Sequence, residues 1–420
     1  MSHGPSLIFD KSTLQSLNPD EAMWLDHFFL CNITPLFFVE VLADLEKEPK
    51  GGRTPEQVVG NLAYKTPDMN SSPNVHHLTL LNGELSGAGE VDMRFGRPIL
   101  AQGMPVVLGD QTGIVFKQAP EEEALMRWQY GQFREFERLT AKLWRSVLGG
   151  VNFDTVYEQF QPIVAAGSRP KTLRDVKARA DSLIQNMPPV QLVRFGLKVL
   201  GYPPQVIPAV LGRWEKKGRP SIQDFLPYFA HVLSVDLFFY IGLAADLIGR
   251  ERASNKADIA YLYYLPFCTV FTSNDKLHEH CVPLFLRPHQ TFVPGATLKA
   301  ELARLDAHYS ALPEEVKQEG VYHMAADPPD DQDFLITRLW DKYLPHWREL
   351  GASRKKPEDL KMTDEIRGLI DEFKKAKPSP GNPVSTEEAA YVTMERRVRI
   401  TQGKWRRFPP SVKPDSGDEE

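Results

Sequence analysis

Two short apolar runs that each lead to an aspartate set the strongest limit on how this chain can fold. The first, SLIFD, ends at Asp10, and the second, CTVFTSND, reaches Asp275 through a turn of small hydroxyl and amide residues. Runs of this length and composition, bounded by polar residues, are typical of β-strands. In an open parallel sheet the carboxyl ends of the strands lie along one edge, where functional groups collect. The sequence therefore predicts an α/β fold with acidic side chains along one edge of its sheet.

Two helical segments place further acids close to these strands. Thr34, followed by a proline, has the signature of a helix N-cap, and the helix that it opens carries Glu40 among apolar neighbours. Asp258 opens the segment DIAYLYYLP, which leads into the strand before Asp275. We therefore expect four acids, including Asp10, to come from strand–helix junctions of one α/β unit. Carboxylates that are buried together repel one another, and a raised pKa or a bound divalent cation relieves this repulsion.

The character of the sequence changes along its 420 residues, which are enough for more than one domain. Residues 1–50 and 225–310 carry the signals above and are expected to form one discontinuous core. Residues 51–224 are predicted to be an α+β insertion, with small strands and hairpins between about 60 and 118. Mainly helical segments follow, beginning with one long helix from PEEEAL to SVLGG. Residues 311–420 are predicted to be a C-terminal extension, helical near FLITRLWDKYL and ending in a partly disordered tail.

Composition excludes some classes of protein. The formal net charge of −5 argues against a surface that is basic throughout, so any binding of nucleic acid must use local patches or metal ions. Three cysteines without metal-type spacing favour a reducing compartment, and the first residues lack the pattern of a signal peptide, so we expect a cytoplasmic protein. The apolar segment 225–249 contains Asp236 and Asp246 within a helical pattern, which favours a buried helix over a membrane span.

These motifs resemble those of the PIN-like nuclease domain family. The segments LIFDKSTL, NITPLFFVEVLADL and DIAYLYYLPFCTVFTSNDKL follow the order in which that family presents its acids. The resemblance covers about residues 6–50 and 225–300, so the usually compact domain would be split by a long insertion. It implies an α/β fold with a mostly parallel sheet flanked by helices, to which this chain adds the α+β insertion and a helical C-terminal extension.

The resemblance also implies a function. It assigns metal-binding and catalytic roles to four acids, Asp10, Glu40, Asp258 and Asp275, which would hold Mg²⁺ or Mn²⁺. It implies that Thr272 or Ser273 positions the last acid or a metal-bound water, and Lys276 is a candidate contact to substrate. The expected activity is that of a metal-dependent endonuclease acting on RNA or another single-stranded nucleic acid. No membrane is involved, and the insertion offers a surface for substrate or a protein partner.

Two alternative functions stay open at this stage. A catalytically inactive domain of the same type would serve as a binding or scaffold protein, and a metal-dependent phosphatase would use the same acids on small phosphomonoesters. A phosphatase with Asp10 as its nucleophile needs a second acid two residues later, where Ser12 stands. We expect Asp44 to lie at a solvated helix end. The segment HEHC, His278 to Cys281, lacks a second ligand pair for zinc, so we expect ordinary surface or groove residues there.

The basic segment MERRVRITQGKWRRFPP also supports two interpretations. Its interleaved arginines and aromatic residues suit a single strand of nucleic acid, through phosphate contacts and base stacking. A solvated basic tail explains the same composition equally well.

Overall fold

The computed structural model describes residues 4–49, 51–94, 96–100, 103–108, 111–150, 153–353, 377–378, 391–394 and 396–411. In chain order its strands are β1 (Ser6–Phe9), β2 (Leu30–Ile33), β3 (Ser71–Pro73), β4 (Met104–Leu108), β5 (Gln111–Phe116), β6 (Val270–Ser273), β7 (Thr291–Pro294), β8 (Lys377–Pro378), β9 (Tyr391–Met394), β10 (Thr401–Gln402) and β11 (Trp405–Arg406). Its α-helices are α1 (Lys11–Ser16), α2 (Pro19–Phe28), α3 (Pro35–Leu42), α4 (Pro55–Lys65), α5 (His77–Ser86), α6 (Pro120–Trp128), α7 (Glu135–Gly150), α8 (Phe153–Ala165), α9 (Leu173–Asn186), α10 (Pro189–Val199), α11 (Ile207–Lys216), α12 (Ile222–Phe225), α13 (Pro227–Ala244), α14 (Ser254–Ala260), α15 (Lys276–Cys281), α16 (Gly295–Ser310), α17 (Glu314–Lys317), α18 (Val321–Met324), α19 (Leu335–Tyr343) and α20 (Trp347–Ser353).

A five-stranded parallel sheet with the order β3-β2-β1-β6-β7 lies at the centre of the fold, which confirms the α/β class. Leu7 of β1 pairs with Cys31 on one side and with Val270 on the other. From β1 the chain builds one half of the sheet through β2 and β3, and much later it adds β6 and β7 to the other half. The carboxyl ends of β1 and β6 therefore flank the point where the strand order reverses, which is where open α/β sheets bind ligands.

The alternation of side chains along β1 divides the core into two layers. Ile8 packs in the layer that contains α13, whereas Leu7 and Phe9 pack in the layer that contains α2. Helix α13 is apolar on all sides because it is surrounded by other elements. Among the described residues it is the one helix that is long and apolar enough to cross a membrane, and 83% of it is buried inside the fold.

Several helices begin where the sequence predicts them. Asn18 caps α2 and Thr34 caps α3, each with a proline at the first helical position. These caps satisfy backbone N–H groups that lack a partner within the helix, so they fix where each helix starts. As a result, Glu40 lies on α3, shortly after the second strand.

The region predicted to be rich in strands is partly helical instead. The hairpin of β4 and β5 forms as predicted, but the segment HLTLLNGELS is helix α5, which ends in a left-handed C-cap at Gly87. Its buried residues, Leu80, Leu81 and Leu85, have helical spacing. The local sequence is compatible with a helix or a strand, and tertiary packing selects the helix. The long helix predicted from PEEEAL to SVLGG is two helices, α6 and α7, separated by a turn at Gly131, whose φ is 70°.

The basic C-terminal segment packs against the body of the protein, so both interpretations of it are wrong for the residues that lie inward. Arg407 is buried and forms ion pairs of 2.8 Å with Asp26 and with Asp68. The Trp405 ring packs edge-on against Trp24 at a centroid distance of 5.0 Å. The predicted tail at 379–390 and 412–420 lies outside the described residues.

The division into domains stays a prediction. Strand β3 comes from within 51–224, yet it pairs with β2 in the central sheet. A sheet strand therefore lies on the insertion side of the predicted boundary.

Candidate functional site

Asp10 and Asp275 follow the two strands that flank the switch point of the sheet. Asp10 comes directly after β1 and caps α1, where its carboxylate accepts a hydrogen bond from the Thr13 backbone N–H. Asp275 comes two residues after β6 and caps α15, where its Oδ1 accepts from the Leu277 N–H at 2.6 Å. Both acids are thus fixed at helix N-termini, which favour negative charge.

Asp10 is buried and fully hydrogen-bonded. Its Oδ1 accepts from the N–H of Thr13 at 2.9 Å and from the Thr13 hydroxyl at 2.8 Å. Its Oδ2 accepts from the hydroxyls of Ser12 at 2.6 Å and Ser273 at 2.8 Å. The Ser273 bond links the ends of β1 and β6 directly across the switch point.

His278 is the cationic partner of Asp10 and is completely buried. Its Nε2 lies 2.6 Å from the backbone oxygen of Asp258, and its Nδ1 lies 2.8 Å from Ser273 Oγ and 3.7 Å from Asp10 Oδ2. Burial opposes ionisation of Asp10, but the positive charge of His278 and the hydrogen bonds from Ser12 and Thr13 outweigh it and lower the pKa of Asp10 to about 2. Burial likewise opposes the charge on His278, yet Asp10 raises the pKa of His278 to about 9. The pair is therefore ionised at neutral pH.

Glu40 is half-buried at the side of this pair. Its Oε2 accepts a hydrogen bond of 2.7 Å from the Tyr261 hydroxyl. Burial, together with the negative charge of Asp10, raises the pKa of Glu40 against the opposing effects of Lys11 and Tyr261. Lys11 does not bond the Glu40 carboxylate but donates to the Glu40 backbone oxygen at 3.2 Å.

Asp258 has the most strongly raised pKa of the four acids. It lies within α14 and does not open it, because that helix begins at Ser254. Burial raises the pKa of Asp258 to about 7, and the negative charges of Glu40, Asp275 and Asp10 add to this against the opposing effect of His278. The other three predicted acids therefore all lie near enough to Asp258 to act on its carboxyl group electrostatically.

The hydroxyl and lysine residues predicted beside the acids have distinct positions. Ser273 donates to Asp10 and accepts from the Asp275 backbone N–H at 2.9 Å. Thr272 is buried, and its hydroxyl has no hydrogen-bond partner among the described residues, while its backbone oxygen accepts from the Asp10 N–H at 3.3 Å. Lys276 is exposed at the start of α15.

The chemistry of the acids fits Mg²⁺ or Mn²⁺, which prefer carboxylate oxygens. Within the described residues, no protein group donates to the Asp258 carboxylate, to Oε1 of Glu40 or to Oδ2 of Asp275. These oxygens could accept a cation, whereas both oxygens of Asp10 already accept two hydrogen bonds each. In the described part of the chain, no three His, Cys, Asp or Glu side chains are grouped closely enough to hold a metal ion as they stand.

Sequence reasoning missed two features of the site. His278 was expected to be an ordinary surface or groove residue, and this was wrong because the turn after β6 directs it into the core. Asp44 was expected at a solvated helix end, but it is buried and paired with Lys11 and Lys47. Asp44 lies four residues after Glu40, which placed it on the same face and was the available signal.

Comparisons of the chain with protein-family models, with curated proteins and with solved structures found no match.

Proposed function

We propose that this protein is a metal-dependent endonuclease of the PIN-like type that cuts single-stranded nucleic acid, with RNA as the preferred substrate. The observation that supports the proposal most is that Asp258, near the switch point of a parallel sheet, has a pKa raised to about 7 by burial and by the negative charges of the other three acids. An acidic cluster that carries uncompensated charge in a ligand-binding position is typical of a functional site.

In this proposal Glu40, Asp258 and Asp275 would hold the Mg²⁺ or Mn²⁺ ion. The ion would supply an activated water and charge stabilisation at the scissile phosphate. Asp10, together with Ser273 and His278, would keep the carboxylate-bearing segments in register. Lys276, exposed beside Asp275, would contact the substrate backbone.

The state of the cysteines is compatible with an intracellular nuclease. All three cysteines, Cys31, Cys268 and Cys281, are buried as free thiols. Free thiols are usual in reducing compartments, which supports the cytoplasmic location in the proposal.

The test is a cleavage assay on end-labelled single-stranded RNA and DNA with Mn²⁺, Mg²⁺ or EDTA. We expect internal cuts that need the metal and are lost in Asp275→Asn and Asp258→Asn. Asp333→Asn is the matched control because Asp333 is exposed and distant in sequence from the site. Cleavage that persists in EDTA, or in both site variants, would refute the proposal.

A second candidate function is an inactive binding or scaffold protein. One observation favours it, since Asp10 already has a buried cationic partner in His278 and needs no metal for neutralisation. This candidate predicts that oligonucleotides bind equally with Mn²⁺ and with EDTA, without cleavage. A phosphatase would instead hydrolyse p-nitrophenyl phosphate and leave the oligonucleotides intact.

A further inference from the structure

Three cations surround one buried carboxylate beside the acidic site. Lys11, Lys47 and Arg145 place side-chain nitrogens 3.0, 2.7 and 3.8 Å from Oδ1 of Asp44. Three positive charges facing one negative charge leave an excess of about two. Because Lys11 directly follows Asp10 and also donates to the Glu40 backbone oxygen, this cation cluster adjoins the acids.

The cation cluster is open to solvent on one side. The Asp44 side chain is 2% exposed, whereas the side chains of Lys47 and Arg145 are 48% and 39% exposed. Burial and the positive charges of Lys11 and Arg145 lower the pKa of Lys47, and they outweigh the opposing effect of Asp44. An external anion placed against Lys47 and Arg145 would relieve this repulsion.

The positive charge continues along helix α7. Arg134, just before the helix starts at Glu135, precedes Arg138, Lys142 and Arg145, which lie on α7 at intervals of four and three residues and therefore in one row along the helix. The first three are exposed. Arg138 pairs with Glu56 at 3.1 Å, and Lys142 forms no ion pair with any other described residue. The basic row therefore ends at the cation cluster, next to the acids.

We propose that the basic row of α7 and the cation cluster bind the backbone phosphates of a single-stranded nucleic acid and lead it to the acidic site. The identity of the ligand rests on the proposed nuclease function. A single-stranded nucleic acid is flexible, so its successive phosphates can follow a line of cations. A duplex is stiffer and fits such a line less well. The proposal gives the predicted insertion, which contains α7, a role in holding substrate.

A separate apolar stripe on α7 provides an internal control. The side chains of Phe136, Leu139, Leu143 and Val147 are exposed and at least 52% accessible, and helical spacing places them on a different side of the helix from the basic row. Strand binding through the basic row predicts that Leu143→Ser leaves the affinity for oligonucleotide unchanged.

The experiment measures the fluorescence anisotropy of a labelled oligouridine in EDTA, where no metal-dependent cleavage occurs, over a range of KCl concentrations. The full chain is compared with the triple variant Lys47→Gln/Lys142→Gln/Arg145→Gln. Each lost phosphate contact lowers the slope of log affinity against log salt by about 0.7 for a single strand, so we expect the slope to fall by about 2. The affinity should fall about tenfold or more at low salt.

Two further variants separate binding from folding. Lys142→Gln alone removes an exposed, unpaired cation and should lower the slope by about 0.7 without changing the unfolding midpoint. Lys198→Gln, on α10, removes the same charge from an exposed position elsewhere and should change neither quantity. An unchanged slope in both Lys142→Gln and the triple variant would overturn the inference.

The remaining outcomes distinguish this inference from the proposed function. Oligouridine binding that depends on the basic row, without cleavage when Mn²⁺ is added, would refute the proposed nuclease activity. It would still support the basic row as a binding site. Cleavage that is unaffected by the triple variant would support the nuclease and refute the row. Failure of the full chain to bind oligouridine at low salt, or tighter binding of duplex than of single strand, would also refute it.

Discussion

Replacing Asp258 with asparagine should stabilise the protein, and the gain should depend on pH. The pKa of Asp258 is raised from its ordinary value of 3.8 to about 7. The folded state therefore favours the protonated form, and ionisation opposes folding. The free-energy cost of ionising Asp258 is absent below pH 3.8, grows between pH 3.8 and pH 7, and reaches its full value above pH 7.

The size of the effect follows from the shift. Each pKa unit corresponds to 1.36 kcal/mol, so ionised Asp258 costs about 4 kcal/mol at pH 8 and about half a kcal/mol at pH 4. Because Asp258 is partly exposed and asparagine is itself polar, the variant should recover about half of this amount. We expect Asp258→Asn to raise the free energy of unfolding by about 2 kcal/mol at pH 8 and by almost nothing at pH 4.

Urea denaturation of both proteins at the two pH values, in EDTA, measures this difference. Asp333→Asn is again the control and should stay within about 0.5 kcal/mol of the unmodified chain at both values. A variant that is no more stable at pH 8, or a gain of equal size at pH 4, would refute the reasoning. Saturating Mn²⁺ should reduce the difference in the free energy of unfolding between the two proteins at pH 8, because the cation stabilises the unmodified chain more than the variant.

Three other changes test separate parts of the structure. Ser273→Ala removes a hydrogen bond to ionised Asp10, worth about 1.5–3 kcal/mol, so we expect cleavage to fall about 10- to 100-fold and Ser273→Thr to retain more activity. His278→Gln leaves the buried, ionised carboxylate of Asp10 without its cation and should lower the free energy of unfolding by about 3–5 kcal/mol, whereas His280→Gln on the exposed side of the same helix should not. Arg407→Ala leaves the buried carboxylate of Asp26 without its cation, while Asp68 keeps Arg399, and it should lower the free energy of unfolding by about 3–5 kcal/mol, measured in urea.

The parts of the fold that the sequence predicts best are those fixed by local signals. The strand before Asp10 and the helix opened by Thr34 each depend on neighbours within a few residues. Helix α5 was predicted wrongly because the apolar residues of HLTLLNGELS have spacings compatible with both the helical period and the strand period. Gly87, as a left-handed C-cap, was the local sign of a helix end.

The parts that could not be predicted depend on contacts between distant segments. Nothing near His278 shows that it meets Asp10, since 268 positions separate them in the sequence. The same holds for Arg407, whose partners Asp26 and Asp68 lie at the other end of the chain. A basic, aromatic segment has the same composition whether its cations face solvent or buried carboxylates, so composition alone predicted the wrong environment.

The four acids differ in a way that suits a site with a variable charge. Asp10 remains ionised because His278 is fixed beside it, and this ion pair joins the ends of β1 and β6 at the switch point. Glu40 and Asp258 have no such partner and both have raised pKa values, and Asp258, with a pKa of about 7, can exchange its proton for another cation near neutral pH. A purely structural cluster would gain stability by replacing Asp258 with a neutral residue. The fold instead retains a carboxylate that destabilises it when ionised, and this supports the functional role that we propose for the site.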